Sequence, residues 1–241
     1  METQNNMVSV LIPTRKRIPQ FISSIESLFN TCNDFKNFEV LVALDNDDLD
    51  TIEHINNYIK DKSNITIHLF DRHYYKGFHK YINSIVPLSK GSSLFLWNDD
   101  CIMKSIDWDV EILKLHQSFC VLNPLVDTMA HYCRFNQQIL FPIIPKQWYI
   151  TTGRWSNNAA CDTWIQDISR DLNLTVDVDN IVISHERHDV TGKNGDDIYN
   201  EGRIDIETFI RDDFYSAEQF AEREIDKQKI KNFLNDRIKN N

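Results

Sequence analysis

Basic side chains are in short supply: 26 lysines and arginines stand against 36 aspartates and glutamates, for a formal charge of −10 and a pI near 5.2. A nucleic-acid-binding face needs basic surface, so the balance tells against that partner, and any anionic ligand must be held by a local cluster or a metal. No apolar run approaches the ~20 residues of a membrane span. The opening Met1-Glu2-Thr3-Gln4-Asn5-Asn6 lacks the charged-then-apolar layout of a signal peptide, so a cytoplasmic location is expected, with peripheral membrane contact left open. The five cysteines (Cys32, Cys101, Cys120, Cys133, Cys161) are odd in number without C-x-x-C spacing, which indicates neither a disulfide framework nor a zinc site, and reduced thiols are expected. Thr14-Arg15-Lys16-Arg17 contains no glycine and so offers no glycine-rich phosphate loop. Internal repeats and low-complexity tracts are absent too.

What is present suffices for a core, with 41% hydrophobic residues in a chain of 241. Val8 to Ile12 is apolar and β-branched and stops at Pro13, which reads as a central strand. Ile18, Phe21, Ile22, Ile25, Leu28 and Phe29 follow helical spacing. Phe38 to Leu44 is a second buried strand ending in acids, Asp45-Asn46-Asp47-Asp48. A helix over 49–60, a strand over 65–70 and a helix over 77–88 continue the alternation into Ser93-Leu94-Phe95-Leu96-Trp97, another buried strand. The order βαβαβ predicts an α/β nucleotide-binding half over about 7–100, with ligands at the carboxyl ends of parallel strands.

A second half over about 101–190 follows. It contains a helix over 108–116, a strand over 119–122, a stretch of loops and short antiparallel strands over 123–158, a helix over 160–172, and a strand pair or one interrupted strand at 174–178 and 181–183. Residues 189–215, rich in Gly and Asp over 189–203, read as a mobile segment. Ser216 with Gln219 forms a capping box for a C-terminal helix within 216–241, whose mixed charges read as a solvated face.

Asn98-Asp99-Asp100 ends the last strand of the first half. Adjacent carboxylates repel unless solvated or sharing a cation, so a divalent metal is a natural occupant, although a polar turn has the same composition. Taken in order, several pieces resemble a GT-A-type glycosyltransferase of the family 2 kind, within the nucleotide-diphospho-sugar transferase superfamily. They are Val8-Ser9-Val10-Leu11-Ile12-Pro13-Thr14, Phe38 to Val42 running into Asp45, Gly77 and Asn83, Gly91, Leu96-Trp97-Asn98-Asp99-Asp100, and Asp162-Thr163-Trp164-Ile165. The resemblance implies a three-layer, Rossmann-like GT-A sandwich around a mostly parallel sheet, forming one domain over 1–215 with its acceptor half at about 101–190.

It also implies transfer of a sugar from a nucleotide-diphospho-sugar to a glycan, lipid-linked or protein hydroxyl, inverting and dependent on Mn²⁺ or Mg²⁺. Pro13, Thr14, Arg15 and Asp45 would hold the nucleoside, and Asn98, Asp99 and Asp100 stand where the family has its D-x-D motif. Asn98 departs from that motif and brings no charge, so the metal leans on Asp100, with His185 or His188 as a further ligand. Asp162 would be the base, and Trp155 a stacking platform for the acceptor. Two rivals remain: a nucleotidyltransferase making a nucleotide-sugar, and a GT-A-like domain that binds nucleotide or glycan without turnover.

Overall fold

The computed structural model describes residues 5–193 and 195–240. The first half alternates as expected: β1 (Asn5–Thr14), α1 (Ile18–Thr31), β2 (Phe38–Asp45), α2 (Leu49–Tyr58), β3 (Ile65–Phe70), α3 (Phe78–Ile85) and β4 (Gly91–Leu96). β5 (Cys101–Met103), α4 (Trp108–Leu115), β6 (Val121–Val126), α5 (Ala130–Phe135), β7 (Ile143–Pro145), α6 (Lys146–Thr152), α7 (Cys161–Asp171) and β8 (Thr175–His185) make the second half. α8 (His188–Thr191), α9 (Asp197–Asp205), α10 (Arg211–Phe214) and α11 (Ala217–Asn240) complete the described chain.

One eight-stranded sheet runs in the order β3-β2-β1-β4-β7-β6-β8-β5. β1 to β4 are parallel, β7 is antiparallel to β4 and β6, and β5 is antiparallel to β8. The β1–β4 contact is close: a Cβ on Gly91 would lie 2.6 Å from the Met7 carbonyl oxygen, so only glycine fits there. Buried side chains of α1, α2 and α4 pack on one face of the sheet and those of α3, α6, α7 and α11 on the other, which gives the three layers. Only residues 97–100 join β4 to β5, yet four strand steps of ~4.8 Å lie between them in sheet order. The sheet therefore curls, bringing β5 over α1, where the Met103 amide donates to Ser27 Oγ at 2.9 Å. The acids of 99 and 100 sit in this bend.

One stretch departs from expectation. The strand expected to end at Leu122 continues through Pro124, because the proline sits at a bulge where pairing with β8 shifts register. Of the two arrangements expected for 174–178 and 181–183, the structure has the single strand, interrupted by that same irregularity. Residues 189–203 carry α8 and most of α9, the latter capped by Asp196, whose carboxylate accepts from the Tyr199 amide at 2.8 Å.

The expected cap of α11 is present, the Gln219 amide donating to Ser216 Oγ at 3.2 Å, but one face of that helix is buried. Asp226 is fully buried, accepting from Arg154 Nε at 2.8 Å and Trp164 Nε1 at 3.2 Å. Asp226→Ala leaves Arg154 with a half-satisfied guanidinium and costs about 3 kcal/mol, a melting-temperature drop of roughly 6–12 °C. A calorimetric shift below 2 °C would show that α11 docks without it. No helix among the described residues is long and apolar enough to cross a membrane.

Candidate functional site

The site is built where β1, β2 and β4 end. After Thr14 the chain turns through Lys16, whose left-handed φ of 54° is held by its amide donating to Asp48 Oδ2 at 2.8 Å and Thr51 Oγ1 at 3.2 Å. The arginines on either side then reach different acids. Arg15 Nη1 lies 3.0 Å from Asp45 Oδ2 and also pairs with Asp47, while Tyr81 donates its hydroxyl to Asp45 Oδ1. Arg17, 8% exposed, donates from Nη1 to Asp99 Oδ1 at 2.8 Å and from Nε to Asp196 Oδ2 at 2.8 Å.

The two adjacent acids are held differently. Asp99 accepts from Thr14 Oγ1 at 2.7 Å and from Arg17, so both of its oxygens are engaged within the chain. Burial pushes its carboxyl up to about 6, against the opposing pull of Arg17. For Asp100 burial also raises the pKa, but the His185 imidazole and the Arg17 guanidinium outweigh it and hold the group below the ordinary carboxylate value. Its Oδ2 is 3.5 Å from Arg17, and its buried Oδ1 takes no hydrogen bond among the described residues and lies 3.2 Å from His185 Nε2.

His185 is 5% exposed, with its ring edge-on to Phe141 and its own Nδ1 also without a hydrogen bond among the described residues. Cys101 faces His185 across the β5–β8 pair. The ligand atoms of Asp100, Cys101 and His185 all lie within 4.8 Å of one another. An orphaned carboxylate oxygen beside an imidazole is costly unless a cation joins them, so these residues fit a divalent ion. Burial pushes the Cys101 thiol well above its ordinary value.

Asp162 lies in the first turn of α7 and not at its cap, which is Ala160, and its Oδ1 accepts from the Thr163 amide at 2.7 Å. A helix N-terminus favours the ionised form. Burial nonetheless wins and raises the Asp162 carboxyl, with the Thr163 hydrogen bonds opposing. Tyr75, 38% exposed, was not singled out from sequence, yet burial pushes its hydroxyl up to about 12 and the Asp162 and Asp100 carboxylates add to the rise. Gly202 of α9 packs on its ring, with a Cβ there 3.0 Å from Tyr75. α9 also meets the site through Arg72–Glu201 and the Lys76 amide to Asp205.

Of the expected residues, Thr14, Arg15, Asp45, Asp99, Asp100 and His185 come together around these strand ends, with half-buried Pro13 preceding Thr14 in β1. Asn98 is half-buried beside them, and its carbonyl accepts from Ser24 Oγ at 3.2 Å. His188 is exposed and packs edge-on against Tyr199, so the strand register brings His185 to Asp100 instead. Trp155, expected to offer a stacking face, is fully buried with its indole N–H donating to the Cys161 carbonyl at 3.3 Å. Its loop is pinned by Asn83, which accepts from the Trp155 amide and donates to the Ser156 carbonyl, both at 2.7 Å.

A curled, mostly parallel sheet between helix layers, with acids and a histidine at its strand ends, is the GT-A architecture. Residues 9–123, just under half of the chain, match the model of glycosyl transferase family 2. No curated protein matches the sequence. Among solved structures, S. aureus TarS 1-349 in complex with UDP superposes with a TM-score of 0.60 at 13% identity, over 73% of this chain and 59% of that one. The mannosyltransferase PcManGT from Pyrobaculum calidifontis, in complex with GDP-Man and Mn²⁺, gives 0.64 at 11% identity, over 78% of this chain and 58% of that one. The chain thus spans about three fifths of these neighbours' lengths, and at such identities the likeness is one of fold.

Proposed function

We propose that the protein transfers a sugar from a nucleotide-diphospho-sugar to a hydroxyl of a glycan, lipid-linked or protein acceptor, with inversion. The observation that carries this reading is Asp100 in the bend after β4, with a buried oxygen left over 3.2 Å from His185 Nε2, beside the strand-end residues Thr14, Arg15 and Asp45. Asp162 takes the proton from the acceptor oxygen as it attacks, and the burial that raises its pKa makes it a stronger base than a solvated aspartate. Thr14, Arg15 and Asp45 hold the nucleoside end, and Arg17 faces the diphosphate. Asp100 and His185 would hold a Mn²⁺ or Mg²⁺ ion, which would supply positive charge against the charge developing on the leaving diphosphate. The UDP and GDP-Man bound by the structural neighbours support the donor class.

Asn98 in place of an acid, together with Arg17 closed on Asp99 and Asp196, favours a second reading, a nucleotide binder without turnover. Melting temperatures with UDP, GDP, CDP and dTDP, each with and without Mn²⁺, test the donor site that both readings share. A diphosphate at 100 times its Kd adds about 2.7 kcal/mol, roughly 5–10 °C here. One base shifting the transition in a metal-dependent way is the expected result. No shift with any of the four would end both readings.

A further inference from the structure

The cation site has an unusual composition for the ions assigned to it above. Asn98 carries no charge, and both oxygens of Asp99 are engaged by Thr14 and Arg17. That leaves one carboxylate oxygen, Asp100 Oδ1, flanked by an imidazole and a thiol. Mg²⁺ demands a near-octahedral oxygen shell, whereas thiolate and imidazole donors suit softer ions that accept four-coordinate sites.

We propose that the Cys101 sulfur is the third protein ligand of the cation held by Asp100 and His185, so that the site selects a thiophilic divalent ion such as Zn²⁺ or Co²⁺ over Mg²⁺. The proposal rests on the reading that a cation sits beside the donor here. Three features support it. Cys101 and His185 are directly opposed in the antiparallel β5–β8 pair, so their side chains project from the same face. All three residues are buried, and their donor atoms already lie within 4.8 Å of one another. A four-coordinate ion with bonds of ~2.0–2.3 Å holds its ligand atoms roughly 3.3–3.8 Å apart, so side-chain adjustments of about an ångström close the set. On binding, the sulfur forms a bond to the ion and its proton leaves to solvent. The fourth position stays open for an oxygen of the donor's diphosphate.

The test uses the full chain, stripped with a chelator, reduced and titrated anaerobically with Co²⁺. Coordination by sulfur gives near-ultraviolet thiolate-to-cobalt charge-transfer absorption. The expected result is that this absorption rises to one equivalent, is removed by Zn²⁺ and withstands excess Mg²⁺. It should survive in Cys32→Ser and Cys120→Ser and vanish in Cys101→Ser, with Co²⁺ bound at least about tenfold more weakly. Absent Co²⁺ binding, a spectrum unchanged by Cys101→Ser, or displacement by Mg²⁺ as readily as by Zn²⁺ would each overturn the proposal.

Should Cys101→Ser not fold, X-ray absorption at the zinc edge of the wild-type protein decides instead, one sulfur at about 2.3 Å supporting the ligand and its absence overturning it. Nucleoside diphosphate binding, read separately by melting temperature, keeps failure of the donor reading distinct from failure of the sulfur ligand.

Discussion

Asp162→Asn lowers sugar transfer by about two to four orders of magnitude at saturating substrate, the usual worth of a general base, and leaves affinity for the nucleoside diphosphate unchanged. The asparagine keeps the size and the hydrogen-bond acceptor for the Thr163 amide but has no basic site for the acceptor's proton. In the wild type the rate climbs with pH as Asp162 ionises, at a pH above the ordinary carboxylate range because burial raises this pKa. The variant loses that limb of the profile.

Stability moves the other way. A carboxyl with a raised folded-state pKa contributes stability that is fully present below its unfolded pKa and is lost as pH rises through the folded one. At pH 7 the buried charge is therefore a cost, and Asp162→Asn melts no lower than the wild type. Unchanged turnover would remove Asp162 from the mechanism, and a lower melting temperature would show that the loss was structural.

Arg17→Ala should be the most damaging single change to the donor site. It leaves Asp99 and Asp100 buried side by side without the guanidinium and takes from Asp196 Oδ2 its arginine partner. Breaking a buried ion pair from one side costs about 3–5 kcal/mol, a fall of roughly 6–20 °C in melting temperature for a chain of this size. The deficit shrinks on acidification, since a proton taken up by the pair replaces part of the missing positive charge. Arg17→Lys keeps the charge but not the fork to separate acids, and should recover only part of the loss. A melting temperature within 2 °C of wild type for Arg17→Ala would mean that water or another cation already compensates these carboxylates.

The first half was legible because β2 is buried on both faces and most of β1 and β4 are too, so they read as apolar runs, with the expected site residues Thr14 and Asp45 at the ends of β1 and β2 and Asn98 just past β4. Arg17 was visible only as part of a basic loop, because its three partners lie 82, 83 and 179 residues away. Periodicity carries no such pairing. Cys101 was read with the other thiols, since nothing local to it shows that β8 will set His185 opposite. The choice of His185 over His188 is likewise a matter of strand register. Trp155 sat in a Gly-containing loop that looked open, and the Asn83 contacts that bury it come from α3. α11 misled through its charge: Arg223, Asp226 and Lys227 lie on its buried face, where Asp226 meets Arg154 and Trp164 and Lys227 meets Asp171.

The bend that separates β4 from β5 also orders events on the ribosome. β1 to β4 pair among themselves, so the half holding Thr14, Arg15 and Asp45 has its strand partners soon after residue 96 emerges. β5, next in the chain, has to wait for β8, and Asp100 waits with it until His185 arrives. At ~5–20 residues per second, some 80 residues of synthesis separate Asp100 from its imidazole partner by several seconds, whereas Asp99 can meet Thr14 and Arg17 at once. During that interval the strand ends that carry Thr14 and Asp45 are formed while the Asp100–His185 pair is not.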